Sequence, residues 1–222
     1  MRADDFVSCL GERRVSAILR CGDTAMAAAA MERAIAGGFS VVEFTLSIPD
    51  AYELIRDFSR REDLVVGAGT VLTPAEAAAA LDAGADFLVS PVVDEAVIEV
   101  AREAGVAAMP GTHTPTEMLR AHRAGAPLVK LFPSPAGGPA WVASVLGPLP
   151  FLRIVPTNGV DATNLRSWLD AGAYAAGFAA TLFRAEDLDP AGLDRIEKRA
   201  RSIVDQVGPV PASTSPASAV GR

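Results

Sequence analysis

A short junction of alanine and glycine recurs along the chain and restricts its possible folds more than any other feature. An apolar run follows each of its five occurrences, at residues 36–38, 82–85, 103–106, 123–126 and 170–173. Glycine at such a place suits the left-handed residue that ends a helix. Gly84, Gly105 and Gly125 are 21 and 20 residues apart, the length of one compact strand–helix unit. Helices that alternate with apolar strands at this period indicate a parallel sheet.

The apolar segments predict eight strands, at residues 15–20, 41–47, 64–71, 87–91, 107–112, 128–133, 153–159 and 174–179. Several of the helices between them open with capping sequences: Asp23-Thr24, Thr73-Pro74-Ala75-Glu76, Thr114-Pro115-Thr116-Glu117 and Asp161-Ala162-Thr163. Eight units in one domain predict an α/β fold, the (β/α)8 TIM barrel, with an extra N-terminal helix around residues 2–10. An open doubly wound sheet is the competing fold, and the even spacing favours the barrel.

Length and composition are those of one large domain. Half of the 222 residues are hydrophobic, which suffices for a single core, and we assign residues 1–207 to the barrel. Residues 208–222 are rich in Pro, Ser, Ala and Gly without periodicity, so a disordered C-terminal tail is expected there. No apolar window has the length of a membrane span and nothing resembles a secretory signal, so we expect a cytoplasmic protein without membrane contact.

The charge balance and the scarcity of metal-binding residues exclude further classes. A net charge of −7 argues against nucleic acid as a partner, although a local basic site for a small anion is compatible with it. His113 and His122 are the only histidines, and no cluster has the spacing of metal ligands, so no metal is expected. The sequence also has neither a GxxxxGK[ST] loop nor a Rossmann glycine fingerprint. The chemistry is therefore expected from an amine and a carboxylate.

Lys130 lies in the middle of an apolar predicted strand, Leu128-Val129-Lys130-Leu131-Phe132-Pro133. The chain has only two lysines, and the other, Lys198, belongs to a charged helical run. Burial disfavours the charged form of an amine and makes the neutral nucleophile available, which arginine does not offer. The working hypothesis is a Schiff-base lysine. The alternative is a lysine that merely extends to the end of its strand.

The second predicted strand points a carboxylate at the same interior. Glu43, Thr45 and Ser47 share one face of this strand, and the apolar residues between them share the other. The apolar face belongs against helices, so Glu43 is expected inside the barrel, where an unpaired carboxylate is costly. One interpretation is a general acid/base beside the amine nucleophile. The other is a buried ion pair, with Lys130 or an arginine, that only stabilises the barrel.

Polar side chains also stand at the ends of other predicted strands, where a TIM barrel builds its active site. They follow the first, third, fifth and seventh strands: Arg20, Thr70, His113, Thr157 and Asn158. An arginine together with a threonine hydroxyl would suit a ligand carboxylate. Each residue alone is weak support, and their convergence on one rim is what indicates a binding site.

Several short motifs occur in an order that is typical of one family: Val42-Glu43-Phe44-Thr45-Leu46, Gly67-Ala68-Gly69-Thr70-Val71-Leu72, Ser90-Pro91, Pro110-Gly111, Val129-Lys130-Leu131-Phe132-Pro133 and Pro156-Thr157. Between about Val15 and Phe183 the chain resembles the class I aldolases of 2-keto-3-deoxy-6-phosphogluconate (KDPG) and 4-hydroxy-2-oxoglutarate (KHG). The resemblance implies a homotrimeric barrel that reversibly cleaves a 2-keto-4-hydroxy acid to pyruvate and an aldehyde. It implies no metal and no cofactor beyond a covalent imine through Lys130.

The resemblance also implies roles for individual residues. Lys130 would form the imine, and Glu43 would relay protons. The residues that would bind substrate are Arg20, Thr45, Ser47, Thr70, Pro91, Phe132, Thr157, Asn158, Gly159, Ala179 and Ala180. Among these, Thr70 and Arg20 would hold the pyruvate carboxylate, while Pro91 and Phe132 would wall the site.

Some positions depart from the family pattern. Ser47 stands where many relatives carry a carboxylate-binding arginine, and Arg20 is expected to substitute for it. A Gly-Gly pair after the seventh strand and a Gly-Ser pair after the eighth hold phosphate in the family. Asn158-Gly159 and Ala179-Ala180 stand there instead, which crowds the backbone approach and removes a hydroxyl, unless Thr181 replaces it. An unphosphorylated or atypical 2-keto-4-hydroxy acid is therefore an alternative substrate. A barrel isomerase and a non-catalytic keto-acid-binding paralogue are the alternative functions.

Overall fold

The computed structural model describes residues 1–207; the predicted tail, 208–222, lies outside the described residues. Eight parallel strands form one sheet in the order β7-β6-β5-β4-β3-β2-β1-β8. They are β1 (Val15–Leu19), β2 (Val41–Thr45), β3 (Val65–Gly69), β4 (Phe87–Ser90), β5 (Ala107–Thr112), β6 (Val129–Leu131), β7 (Ile154–Pro156) and β8 (Ala176–Phe178). A parallel bridge between Thr157 and Gly177 joins the two ends of this order. The predicted TIM barrel is confirmed, and the open doubly wound sheet is wrong.

Helices alternate with the strands and lie outside them. They are α1 (Ala3–Arg13), α2 (Thr24–Ala36), α3 (Ala51–Phe58), α4 (Pro74–Asp82), α5 (Glu95–Glu103), α6 (Pro115–Arg123), α7 (Pro139–Leu146), α8 (Leu165–Asp170) and α9 (Leu193–Val204), with a short 3-10 helix at Ala185–Asp187. The predicted capping box of α4 is present, because the side chains of Thr73 and Glu76 each accept a backbone N–H of the other residue. Thr114 and Glu117 form the same arrangement at α6.

The N-terminal helix closes the amino-terminal end of the barrel. Phe6, Val7 and Leu10 of α1 are buried in a cluster with the inward side chains of the strands. The ring of Phe6 stacks on that of Phe87 with 4.2 Å between the centroids. Apolar side chains therefore fill most of the lower half of the barrel, which leaves room for a ligand near its carboxyl-terminal mouth.

Most strands end one to three residues earlier than the sequence predicts. β3 ends at Gly69 because Thr70 has a positive φ of 60°, which takes the chain out of the extended conformation. α8 begins only at Leu165, although capping was predicted at Asp161. The carboxylate of Asp161 accepts the N–H groups of Thr163 and Asn164 and forms a separate turn before the helix. These early strand ends place the polar rim residues in loops at the mouth.

Candidate active site

Lys130 points into the barrel. Its neighbours Val129 and Leu131 pack in the outer core with the helices, whereas Leu128 packs in the inner cluster. The lysine side chain is buried, with 8% of its surface exposed, and Nζ lies 5.2 Å from the ring centroid of Phe132. Within residues 1–207 it forms no ion pair of 4 Å or less. The lysine is thus enclosed at the base of the mouth, as the sequence predicts.

Glu43 points into the same space from β2 and is almost fully buried, with 1% of its surface exposed. Within the described part of the chain neither carboxylate oxygen has a hydrogen-bond partner. Burial raises the pKa of Glu43, and the positive charges of Lys130 and Arg20 offset only part of that rise. A carboxyl group in this setting holds a proton more readily than a solvated one and can still release it.

Gly69 provides the space that the Glu43 side chain occupies. A Cβ atom built at Gly69 would overlap Oε1 of Glu43, so any larger residue there would displace the carboxylate. From the sequence we expected the glycines before Thr70 to let a ligand approach the backbone, and not that Gly69 makes room for Glu43. A signal was available, since Gly69 is an inward position on the strand next to β2 and β3 pairs with β2 in parallel.

Arg20 and three hydroxyl groups form one hydrogen-bonded network at the mouth. Nη1 of Arg20 donates to Oγ of Ser47 at 2.8 Å, and Nη2 donates to Oγ1 of Thr70 at 3.0 Å. The hydroxyls of Thr45 and Ser47 lie 2.9 Å apart. The structure brings together all four of these predicted residues. Thr70 is β-branched and has a positive φ, a strained conformation of the kind found where a site holds a side chain in place.

Pro91 follows β4 and Phe132 follows β6, so both lie at the mouth. The carbonyl of Pro91 fills the space where a side chain at Gly111 would lie, so β4 and β5 approach closely there. Phe132 is 36% exposed. Its ring lies beside the Lys130 amine.

The loops after β7 and β8 form the opposite side of the mouth. Thr157 is buried and, among the described residues, its Oγ1 has no hydrogen-bond partner. Asn158 and Gly159 follow with positive φ values of 67° and 90°. Ser134, which the sequence analysis overlooked, packs beside Gly159: a Cβ atom built at that glycine would lie 3.3 Å from the Cβ of Ser134.

The alanines after β8 offer only backbone groups. Ala179 is half-buried and Ala180 is exposed. We expected that Thr181 could replace the missing serine hydroxyl. As a hydrogen-bond donor to a ligand it does not, so this expectation is wrong. The Thr181 hydroxyl donates its proton to the carbonyl of Val160 at 2.7 Å, so it has no second proton for a ligand.

No helix within residues 1–207 is long and apolar enough to cross a membrane. Within the same residues, no group of three or more His, Cys, Asp and Glu side chains is arranged to hold a metal ion.

Comparison with known proteins gives the family. A family model described as KDPG and KHG aldolase matches residues 7–199. The chain belongs to this family. The KHG/KDPG aldolase of Escherichia coli (strain K12) is 34% identical over 173 residues, which cover 77% of this chain and 81% of the relative. A probable 2-dehydro-3-deoxy-6-phosphogalactonate aldolase of Rhizobium meliloti (strain 1021) is 35% identical over 176 residues, 78% of this chain and 83% of the relative.

A solved structure supports the same relationship. The native KDPGal structure superposes with a TM-score of 0.78 at 33% sequence identity, and covers 87% of this chain and 93% of that one. The chain is therefore an aldolase, which is a carbon–carbon lyase, and the isomerase alternative receives no support. The relatives are named for different sugar acids, so membership alone does not determine the substrate of this chain.

The unusual burial of Glu43 predicts a pH-dependent difference in stability. The pKa of Glu43 is raised in the folded protein, so its contribution to the stability of the folded state is greatest below the unfolded value of about 4.3, where Glu43 is protonated in both the folded and the unfolded state. This contribution to stability is lost as pH rises through the pKa of the folded state. We expect the free energy of unfolding of wild type to fall relative to that of Glu43→Gln as pH rises from about 4 to 8. Urea unfolding of both proteins across this range measures the difference. A pH-independent difference, or one of opposite sign, would contradict the assignment.

Proposed function

We propose that this chain is a class I aldolase that reversibly cleaves a 2-keto-4-hydroxy acid, of the KDPG or KHG type, to pyruvate and an aldehyde. The observation that carries the proposal is the meeting of Lys130 and Glu43 in one barrel interior. Lys130 is a nucleophile without an ion-pair partner among the described residues, and Glu43 is a carboxyl whose pKa burial raises. A nucleophile and a proton carrier in one desolvated space are what imine chemistry requires.

In the proposed first stage the Lys130 nitrogen attacks the keto carbon as the carbon–oxygen π bond opens, and the proton that the nitrogen loses passes to the former carbonyl oxygen to give a carbinolamine. Glu43 then donates a proton to this hydroxyl, which leaves as water, and the protonated imine forms. No separate cofactor enters these steps, because the imine nitrogen itself is the electron sink.

In the second stage the Glu43 carboxylate takes the proton of the C4 hydroxyl. The electron pair of the C3–C4 bond moves towards the imine, so the bond breaks to give an enamine on Lys130 and a free aldehyde. Protonation of the enamine carbon and addition of water release pyruvate and restore the amine. The same carboxyl thus donates a proton before cleavage and accepts one during it.

The Arg20 network fits the carboxylate of the keto acid. The guanidinium uses Nη1 and Nη2 to contact Ser47 and Thr70, and its remaining N–H groups can face a ligand. A guanidinium held by two hydroxyls loses less conformational freedom when it binds a carboxylate. We propose that this network does what the arginine at the position of Ser47 does in many relatives.

We also make three further proposals. Pro91 and Phe132 would shape the pyruvate side of the mouth, and Thr157 would line the side nearest β7. The protein would act as a homotrimer, and its place would be the cytoplasm. Sedimentation velocity of the purified chain tests whether it is a trimer.

Trapping with borohydride tests the function directly. With pyruvate and borohydride, wild type should gain an irreversible adduct that maps to Lys130, because reduction of the imine fixes the ligand to the amine. Lys130→Arg should gain none, whereas Lys198→Arg, which alters the exposed second lysine, should be labelled like wild type. The absence of an adduct on the wild-type protein would contradict the proposal. An adduct without aldol cleavage across a panel of aldehydes would instead support the non-catalytic keto-acid-binding alternative.

The alanines after β8 predict a weak preference for phosphate. Glyceraldehyde 3-phosphate and glyceraldehyde, condensed with pyruvate, should differ little in kcat/KM, because Ala180 and Thr181 offer no hydroxyl proton to a phosphate. Ala179→Gly combined with Ala180→Ser should raise the preference for the phosphorylated aldehyde by about 3- to 10-fold, the effect of one restored hydrogen bond. A strong wild-type preference for the phosphorylated aldehyde would contradict this interpretation of the two alanines.

A further inference from the structure

His113 stands at the mouth immediately after β5, beside the strand that carries Lys130. Gly111 and Lys130 are register partners, so they face the same side of the sheet. The pairing continues upward, because the Phe132 N–H donates to the Thr112 carbonyl at 2.9 Å. His113 follows Gly111 by two residues, about 7 Å further towards the mouth at the rise of an extended chain. Its ring is exposed there, level with Phe132.

A single hydrogen bond determines which tautomer the neutral imidazole of His113 adopts. Nδ1 of His113 lies 2.9 Å from the backbone carbonyl oxygen of Pro133. A carbonyl oxygen can only accept a hydrogen bond, so Nδ1 must carry the proton. In the neutral ring Nε2 is then a hydrogen-bond acceptor with a free lone pair. Within residues 1–207 no side chain or backbone group contacts Nε2 by a hydrogen bond.

The surroundings hold this residue still without occupying Nε2. The N–H of His113 donates to Oε2 of Glu117 at 2.8 Å, and the same oxygen accepts the N–H and hydroxyl of Thr114. Glu117 is thus engaged as the cap of α6, and these bonds hold its pKa below the usual range. Lys130 lies on the neighbouring strand, at the register position of Gly111. The histidine is anchored at its backbone and at Nδ1, and within residues 1–207 its Nε2 has no hydrogen-bond partner.

A hydrogen-bond acceptor between Lys130 and the outside of the mouth is placed where the substrate must extend. A substrate bound as an imine at Lys130 must extend from the barrel interior towards the mouth, since the apolar side chains below it leave no other direction. The part that extends is the one derived from the aldehyde. A neutral imidazole acceptor attracts a hydroxyl group there and offers nothing to a bare alkyl chain.

We propose that His113 is a specificity-determining residue whose Nε2 accepts a hydrogen bond from a hydroxyl group on the aldehyde-derived part of the substrate. The inference rests on the proposed function and narrows its substrate class to polyhydroxylated chains. It assigns a use to a residue at the mouth that the imine chemistry leaves idle.

Two substitutions separate recognition by Nε2 from support of the loop by Nδ1. The amide N–H of His113→Asn can replace Nδ1 in donating to the Pro133 carbonyl, but this variant has no acceptor at the position of Nε2. The reverse holds for His113→Gln, whose amide reaches the position of Nε2. Glyceraldehyde and propanal have the same number of carbons and differ in their hydroxyl groups. The ratio of their kcat/KM values in condensation with pyruvate isolates the hydroxyl contribution.

The proposal predicts that His113→Asn lowers the glyceraldehyde-to-propanal ratio by about 3- to 10-fold, the usual effect of one hydrogen bond, and that His113→Gln retains more of it. Borohydride labelling with pyruvate alone should match wild type in both variants, because pyruvate lacks the hydroxyl. His122→Asn, which alters the second histidine on the outer surface of α6, should leave the ratio unchanged. An equal loss for both aldehydes, or no loss, would overturn the proposal. Absence of labelling in wild type would overturn the proposed function instead.

Nitrogen NMR gives a readout that a purely structural role would not move. With only two histidines, 15N-labelled protein should show one neutral ring with the proton on Nδ1, and that signal should vanish in His113→Asn. Glyceraldehyde added to the pyruvate-loaded enzyme should shift the Nε2 resonance of this ring, and propanal should not. A proton on Nε2 in the neutral ring, or equal shifts with both aldehydes, would contradict the assignment.

Discussion

The structure depends on one unfavourable placement, a carboxylate without hydrogen bonds inside a closed sheet. Glu43 is buried, both of its oxygens lack partners among the described residues, and its pKa is raised by that burial. Burying an unpaired charge costs free energy, and well-packed apolar side chains in its place would avoid this cost. The fold accommodates it through Gly69, which leaves the necessary space, and through the positive charges of Lys130 and Arg20. A group kept in this state is available to move protons.

A second buried carboxylate, Asp187, differs from Glu43 in that both of its oxygens are paired. Asp187 is 1% exposed, and each of its oxygens accepts a hydrogen bond from a different arginine, Arg195 or Arg199 of α9. Burial alone would raise the pKa of Asp187, but the bonds from Arg199 and Arg195 outweigh it and hold that pKa below its usual range. Arg199 also donates to the carbonyl of Leu182, so the cluster fixes the loop after β8. Saturated pairing favours a structural role for Asp187, and the lack of pairing supports the proposed catalytic role of Glu43.

Much of the fold could be predicted because local chemistry repeats. The glycines that end the helices, the caps at Thr73 and Thr114, and the two-residue alternation in β2 and β6 all depend on short-range rules. These rules located Lys130 and Glu43 and their common direction. The proton of Thr181 and the packing of Ser134 on Gly159 depend instead on contacts between residues more than 20 positions apart, for which the sequence has no local signal. Gly69 lies between these cases, since its inward position could be predicted but not the side chain that fills its space.

The central claim is that Glu43 is a desolvated carboxyl group that holds its proton more firmly than a solvated one. Infrared difference spectroscopy measures this directly, by following the carbonyl stretch of a protonated carboxylic acid as pH rises. The account predicts a band absent from Glu43→Gln, whose loss has its midpoint clearly above the value of about 4.3 for an exposed glutamate. A band that disappears at or below that value would contradict it, because Glu43 would then be an ordinary ionised carboxylate.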